Sequence, residues 1–323
     1  EDGNTVVIGS KSDNEKGTQT GSATIYNRLP PEYYAVEDFT HLGFYSLTDG
    51  GVSNVTDIAW NSDGTKFFSI AYSGDKVNEY SVSTAYDVST KTYVRQFDLS
   101  SQTNYPTGIT FNTDGTKMFI THPTGIGGGT NGLFQYNLTT GFDLSTASYA
   151  NIALSRDSYT NDRAWGVSFK PDGTKMFISD DGSNDIRQFT LSTPFDLSTI
   201  SAYDNTTDLY VGSQDGDVRG HAFNGDGTKL YVVGDQNDRI YIYNLSTAYD
   251  VSTGSYDTYK SLSSQTNNPS GIKFNPDGSK MWISCIQSEG VDQYSVIKQD
   301  WDSGYKIFHP DPTNTDYFGV SVS

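Results

Sequence analysis

GVSVS at Gly319–Ser323, run on into EDGNTVVIGS at Glu1–Ser10, aligns without a gap against GIKFNPDGSKMWIS at Gly271–Ser284. The two ends of the chain read as halves of one repeat. Intact copies begin at Asp57 (DIAWNSDGTKFFSI), Gly108 (GITFNTDGTKMFIT), Gly166 (GVSFKPDGTKMFIS) and Gly220 (GHAFNGDGTKLYVV). Their turn aspartates, Asp2, Asp63, Asp114, Asp172, Asp226 and Asp277, recur at a period of roughly 50 residues, which is that of propeller blades. Six such units account for the chain.

Each unit reads as four strands. An alternating apolar run such as Ile109 and Phe111 enters an Asp-Gly turn, where glycine supplies the positive φ of a tight hairpin. A second run rich in aromatic and branched residues follows (Met118, Phe119, Ile120), then a third that ends on an aromatic, such as Phe134-Gln135-Tyr136. A looser fourth strand leads onward, and no helical periodicity competes. The expectation is an all-β, six-bladed β-propeller of four-stranded antiparallel blades, a single domain over residues 1–323. Its seam blade takes 315–323 together with 1–48. The C-terminal inner strand, Phe318–Ser323, pairs with N-terminal outer strands from Asn4–Ser10, so that no blade edge is left open.

Composition narrows the partners. A net charge of −18 argues against nucleic acid and anionic membrane surfaces. No apolar stretch reaches the length of a membrane span, so no membrane insertion is expected. Cys285 stands alone, which excludes an internal disulfide. The abundance of Tyr, Gly, Ser, Thr, Asn and Asp suits an extracellular, cell-surface or virion protein that meets protein or glycan ligands.

The F-N-x-D-G-T-K-M-F-I pattern resembles the repeats of the YVTN/NHL and WD-like propeller superfamily, with Val232–Leu245 (VVGDQNDRIYIYNL) similar to an NHL-type strand pair. The seam, from Tyr317-Phe318-Gly319 into NTVVIGS, resembles an FG-GAP unit instead. The resemblance implies the fold rather than an activity. FG-GAP units often carry a D-x-D-x-D-G calcium loop, and this chain lacks one.

A second signature recurs at Ser83 (STAYDVST), Thr139 (TTGFDLST), Ser192 (STPFDLST) and Ser246 (STAYDVST). Its Asp, Ser and Thr side chains can bond nearby backbone and hold a compact turn, with the aromatic packed back on the blade. The blades beside the seam carry IKQDWDSG and NRLPPEYYAVEDF instead, a divergent surface open to self-association.

Chemistry is expected at one mouth of the central tunnel, where loops leading into the inner strands meet loops joining second to third strands. Tyr72, Tyr105, Arg163, Trp165, Asp217, Arg219, His221 and Tyr317 fall there, a convergent polar and aromatic set. Asp180, Asp181, Asp185, Asp235 and Asp238 are candidate oxygen ligands for Ca2+, although structural Asx turns are the leading reading of them and no cofactor is otherwise implied. His221 beside Arg219 and Asp217 reads first as a hydrogen-bonded plug of the tunnel, with a base held by a carboxylate as the minor alternative. With no intact catalytic set, the leading expectation is a non-catalytic extracellular or virion-surface propeller for recognition, adhesion or assembly. The alternative is a metal-assisted hydrolase of lactonase type acting in the tunnel.

Overall fold

A computed structural model of the chain describes residues 5–13, 20–27, 39–123, 131–155, 163–201, 205–296 and 305–308. They divide into two compact units, one of 1–35 and 297–323, the other Val36–Val296. In the first, β1 (Thr5–Asp13) and β2 (Thr20–Asn27) form an antiparallel pair, Val6 opposite Tyr26 and Ile8 opposite Thr24. The last described strand, β23 (Tyr305–Phe308), adds to the free edge of β2, with Ser22 opposite Phe308. Both ends of the chain thus contribute to one three-stranded sheet. The expected pairing partner, Phe318–Ser323, lies outside the described residues, as do Asp2 and Tyr317.

The second unit is a ring of five four-stranded antiparallel blades, which corrects the expected six. β3 is Phe39–Ser46. Blade 1 is β4 (Ser53–Trp60), β5 (Lys66–Ser73), β6 (Lys76–Val82) and β7 (Lys91–Asp98). Blade 2 is β8 (Gly108–Phe111), β9 (Lys117–Thr121), β10 (Asn131–Leu138) and β11 (Ala147–Ser155). Blade 3 is β12 (Ala164–Phe169), β13 (Lys175–Asp180), β14 (Asp185–Thr190) and the short β15 (Leu209–Tyr210). Blade 4 is β16 (Val218–Phe223), β17 (Lys229–Gly234), β18 (Arg239–Leu245) and β19 (Gly254–Ser261). Blade 5 takes β20 (Pro269–Phe274), β21 (Lys280–Cys285) and β22 (Gly290–Val296) from the late chain, and β3 supplies its outer strand.

The physical reason for five is where β3 goes. The residues read as a sixth blade are divided, β1 and β2 to the separate sheet and β3 to the open edge of β22. An outer strand from the early chain therefore closes the ring, as the edge argument requires. Closure is sealed between blades 5 and 1, where Lys273 Nζ meets Asp57 Oδ2 at 3.0 Å and the Trp60 and Trp282 rings lie 4.8 Å apart.

At the start of the repeat, Gly108, Gly166, Gly220 and Gly271 stand at equivalent points on the inner strands. A Cβ on Gly220 would lie 2.8 Å from Gly271 Cα, and one on Gly166 would lie 3.3 Å from Gly220 Cα. Inner strands approach backbone to backbone there, which only glycine permits. Blade 1 has Asp57 in that place. Its buried carboxylate accepts from Ile58 N at 2.9 Å and Ile109 N at 3.1 Å and pairs with Lys273. Burial pushes the Asp57 carboxyl up.

The second signature is a clasp between blades. Tyr86, Phe142, Phe195 and Tyr249 adopt φ of 54–56° and lay their rings on the turn glycines Gly64, Gly115, Gly173 and Gly227. The next aspartate caps a single 3-10 turn by accepting from the amide two residues on. The neighbouring blade grips this turn twice. The turn lysine reaches the aromatic's carbonyl: Lys66 to Phe142 at 3.1 Å, Lys117 to Phe195 at 2.8 Å, Lys175 to Tyr249 at 3.0 Å and Lys280 to Tyr86 at 2.9 Å. A third-strand side chain accepts the turn's amide: Glu79 from Leu144, Gln135 from Leu197, Gln188 from Val251 and Gln293 from Val88. These loops are structural.

Candidate active site

Six of the sequence-selected residues come together where the inner strands begin. Tyr72 ends the second strand of blade 1, and its ring lies 4.9 Å from Tyr105, which precedes blade 2. It stacks at 7° on Trp165 of β12, 6.3 Å away. Arg219, from β16, lays its guanidinium over the same indole with Cζ 3.8 Å from the ring centroid. This is cation–π geometry, and it fixes the plane of the guanidinium.

Carboxylates surround that guanidinium. Arg219 Nη2 lies 2.8 Å from Asp217 and 3.3 Å from Asp235 Oδ2, and Nη1 lies 3.5 Å from Asp181 Oδ2. Asp181 Oδ2 also accepts from Trp165 Nε1 at 3.1 Å and from Arg163 Nη1 at 3.3 Å. Asp235 accepts from the Asn268 amide. Asp217 is set by the Asp215-Gly-Asp217 turn, where buried Asp215 accepts from Asp217 N at 3.0 Å and from Tyr241 OH at 3.2 Å. One buried donor here, Arg219 Nε, lacks a hydrogen-bond partner among the described residues.

Three carboxylates against two guanidiniums leave an excess negative charge in a partly desolvated mouth. Asp217 bears the consequence. Burial first, then a hydrogen bond with the Asp181 carboxyl and its negative field, push Asp217 up to about 7. Neighbouring negative charge disfavours ionisation of Asp217 in this way. Burial also raises the Tyr72 phenol.

His221 is placed differently. It points along β16 into the blade contact, with Nε2 2.7 Å from Ser168 Oγ and Nδ1 2.6 Å from Ser179 Oγ. Burial and the nearby Lys273 charge drive it down to about 3, so the ring is neutral and held by two hydroxyls. No carboxylate orients it, and it is a hydrogen-bonded plug. The two serines that hold it carry no signal at sequence level beyond their positions in the repeat. Asp57 was also unmarked, visible only as the exception to a column of glycines.

Each candidate calcium ligand is engaged by a guanidinium or an amide. Asp180 pairs with Arg187 at 2.9 Å, Asp185 accepts from Arg187 Nε at 3.0 Å, Asp181 and Asp235 face Arg219, and Asp238 accepts from Asn268 N at 2.9 Å. Guanidinium groups stand where a hard cation would need to be. Among the described residues no group of three or more His, Cys, Asp or Glu is arranged to hold a metal ion.

Residues 45–301 match the model of the family described as "Lactonase, 7-bladed beta-propeller". The fold is similar to solved structures at low identity. One is a functionally unknown protein from Desulfotomaculum acetoxidans, 15% identical, covering 86% of this chain and 75% of that one, with a TM-score of 0.44. Two others are proteins assigned as candidate 6-phosphogluconolactonases. That from Bacteroides fragilis is 14% identical, covers 95% and 82%, and has a TM-score of 0.46. That from Bacteroides uniformis is 13% identical, covers 95% and 83%, and has a TM-score of 0.48. At such distances nothing about activity follows. No curated protein is similar to the chain in sequence.

Proposed function

The chain belongs to the lactonase seven-bladed β-propeller family, and from that premise we propose that it is a lactone-hydrolysing enzyme acting at the mouth lined by Asp181, Asp217, Arg219 and Trp165. Membership in an enzyme family overturns the expectation of a non-catalytic recognition or adhesion propeller, and with it the extracellular and structural character attached to that expectation. It also replaces the YVTN/NHL and FG-GAP resemblance with a more definite family. The family description specifies seven blades, whereas the described residues of this chain close a ring with five.

The observation that carries the proposal is the carboxyl pair, Asp217 and Asp181, beside a guanidinium held flat on an indole. A general base works best when its proton affinity lies near the operating pH, and Asp217 sits at about 7. In the proposed reaction the lactone ring lies on the aromatic wall of Trp165 and Tyr72, its carbonyl oxygen toward Arg163 and Arg219. Water adds to the carbonyl carbon while the ionised Asp217–Asp181 pair takes its proton. The guanidiniums stabilise the oxyanion, which is worth about 10²–10³ in rate for one well-placed donor. The tetrahedral intermediate then expels the ring oxygen. That oxygen takes the proton back from the carboxyl, leaving a hydroxy acid and a regenerated pair. No step passes through a metal ion.

A pH-stat assay over a panel of γ- and δ-lactones tests this. Hydrolysis above the buffer rate, lost in Asp217→Asn, supports it. Rates at the buffer level across the panel, or an unaltered rate in Asp217→Asn, would refute it.

A further inference from the structure

The inner strands have two ends, and the second one holds a separate pocket. Where β4, β8 and β20 run out into their Asp-Gly turns, a cavity of about 310 Å3 opens, lined by Trp60, Tyr86, Phe111, Phe142, Phe274 and Lys273 among others. That is the volume of roughly ten water molecules. The site described above lies at the opposite end of the inner strands, at Asp217, just before β16, Arg219 on β16 and Trp165 on β12.

The pocket departs from the ring's own repetition. In four blades the inner-strand aromatic is covered by its clasp aromatic: Trp60 by Tyr86 at 5.3 Å, Phe111 by Phe142 at 5.3 Å, Phe169 by Phe195 at 5.2 Å and Phe223 by Tyr249 at 5.3 Å. Blade 5 takes its outer strand from β3 and its sequence lacks the clasp signature, and Phe274 has no such cover among the described residues. Its ring packs on Tyr231 at 4.9 Å and otherwise faces the cavity that the pairs of blades 1 and 2 also line. Uncovered aromatic surface in a concave site is where small apolar ligands bind.

Charge then selects among apolar ligands. Of the lining residues, Lys273 is the one with a formal charge, and no carboxylate lines the wall. Its bond to Asp57 uses one of three N–H donors. We propose that this turn-face pocket is a binding site for a small planar aromatic anion, such as an aromatic carboxylate, its ring among Trp60, Phe111 and Phe274 and its charge toward Lys273. The site is independent of the reaction proposed above.

The test uses 2-naphthoate and its neutral isostere 2-naphthamide, titrated calorimetrically and by Trp60 fluorescence in the full chain. Saturable one-to-one binding of naphthoate is expected, about 10-fold tighter than the amide. Ser62 and Thr113 are exposed at the rim, so Ser62→Trp and Thr113→Trp are expected to weaken naphthoate by about 10-fold or more while leaving the melting temperature and any lactone hydrolysis intact. Trp60→Phe removes the optical signal but not the heat. Arg219→Lys leaves naphthoate binding unchanged. Absence of saturable binding, equal affinity for the amide, or binding that survives both rim variants and falls with Arg219→Lys overturns the proposal.

Discussion

The Arg219 guanidinium lies flat on the Trp165 indole, with Cζ 3.8 Å from the ring centroid, while its Nη atoms reach three carboxylates. Plane and charge are therefore fixed together. A lysine keeps the charge but loses the plane and the fork. Arg219→Lys is expected to lower kcat/KM for lactone hydrolysis by at least about 10-fold, mostly in kcat, because the loss falls on a group serving the oxyanion. Steady-state kinetics at pH 8 measure it. An effect confined to KM would assign Arg219 to ground-state binding alone.

Asp217 carries a pH signature. Its carboxyl sits at about 7 in the folded chain against 3.8 as a free group, so the folded state holds a proton that the unfolded state has released between those values. The stability this gives is complete below pH 3.8 and is lost as pH rises through 7. At pH 8 the ionised carboxylate is a burden that Asp217→Asn removes. The variant should melt higher than the parent at pH 8, by roughly 1–2 kcal/mol after allowance for its partly exposed edge, and nearly equal to it at pH 5. Activity should move the other way. The parent's kcat/KM rises with pH through about 7, and the variant loses about 10²-fold or more. Melting scans and a pH–rate profile read both.

How much of this was legible follows from what repeats. The Asp-Gly turns, the four-stranded units and the mouth residues all stand in register along the chain, and five of the six turns lie in blades as expected. Blade count departs from expectation at β3, an outer strand whose burial simply alternates, so its pattern does not name the blade it joins. One signal did mark the junction. Glu79, Gln135, Gln188 and Gln293 accept a clasp amide from the next blade, and Ile242 holds that register in blade 4, where the following blade's sequence lacks the clasp signature. The carboxyl pair was less legible. Asp181 and Asp217 lie far apart in sequence and in different blades, so only the folded ring joins them.

The clasp makes a quantitative prediction. Buried Gln135 Oε1 accepts Leu197 N at 3.2 Å across the blade 2–3 junction. Gln135→Leu leaves that amide without a partner in an apolar layer, at a cost of about 1–3 kcal/mol. The reverse substitution, Ile242→Gln, places an amide in an apolar cluster and is expected to cost a similar amount. Chemical denaturation of both variants tests the pairing. A neutral Gln135→Leu would mean that the clasp contributes nothing to holding blades together.

The glycine column at the axis sets how tightly five blades close. Gly220 has an ordinary backbone conformation, so any cost of a side chain there is steric. A Cβ would lie 2.8 Å from both Gly271 Cα and Ser270 O, backbone atoms of the adjacent blade that cannot turn aside. Gly220→Ala must push blades 4 and 5 apart, at about 1–3 kcal/mol or more, the range for overpacking a tight contact. The control lies five residues on. A Cβ on Gly225 meets nothing nearer than Pro276 O at 3.9 Å, so Gly225→Ala is expected to stay within about 0.5 kcal/mol of the parent. Because blade 4 also carries Asp217 and Arg219, the strained variant should lose lactone hydrolysis in step with the widening, and the control should not. Equal melting temperatures for the two variants would show that inner-strand spacing is slack, and that the glycines are not what limits the ring to five.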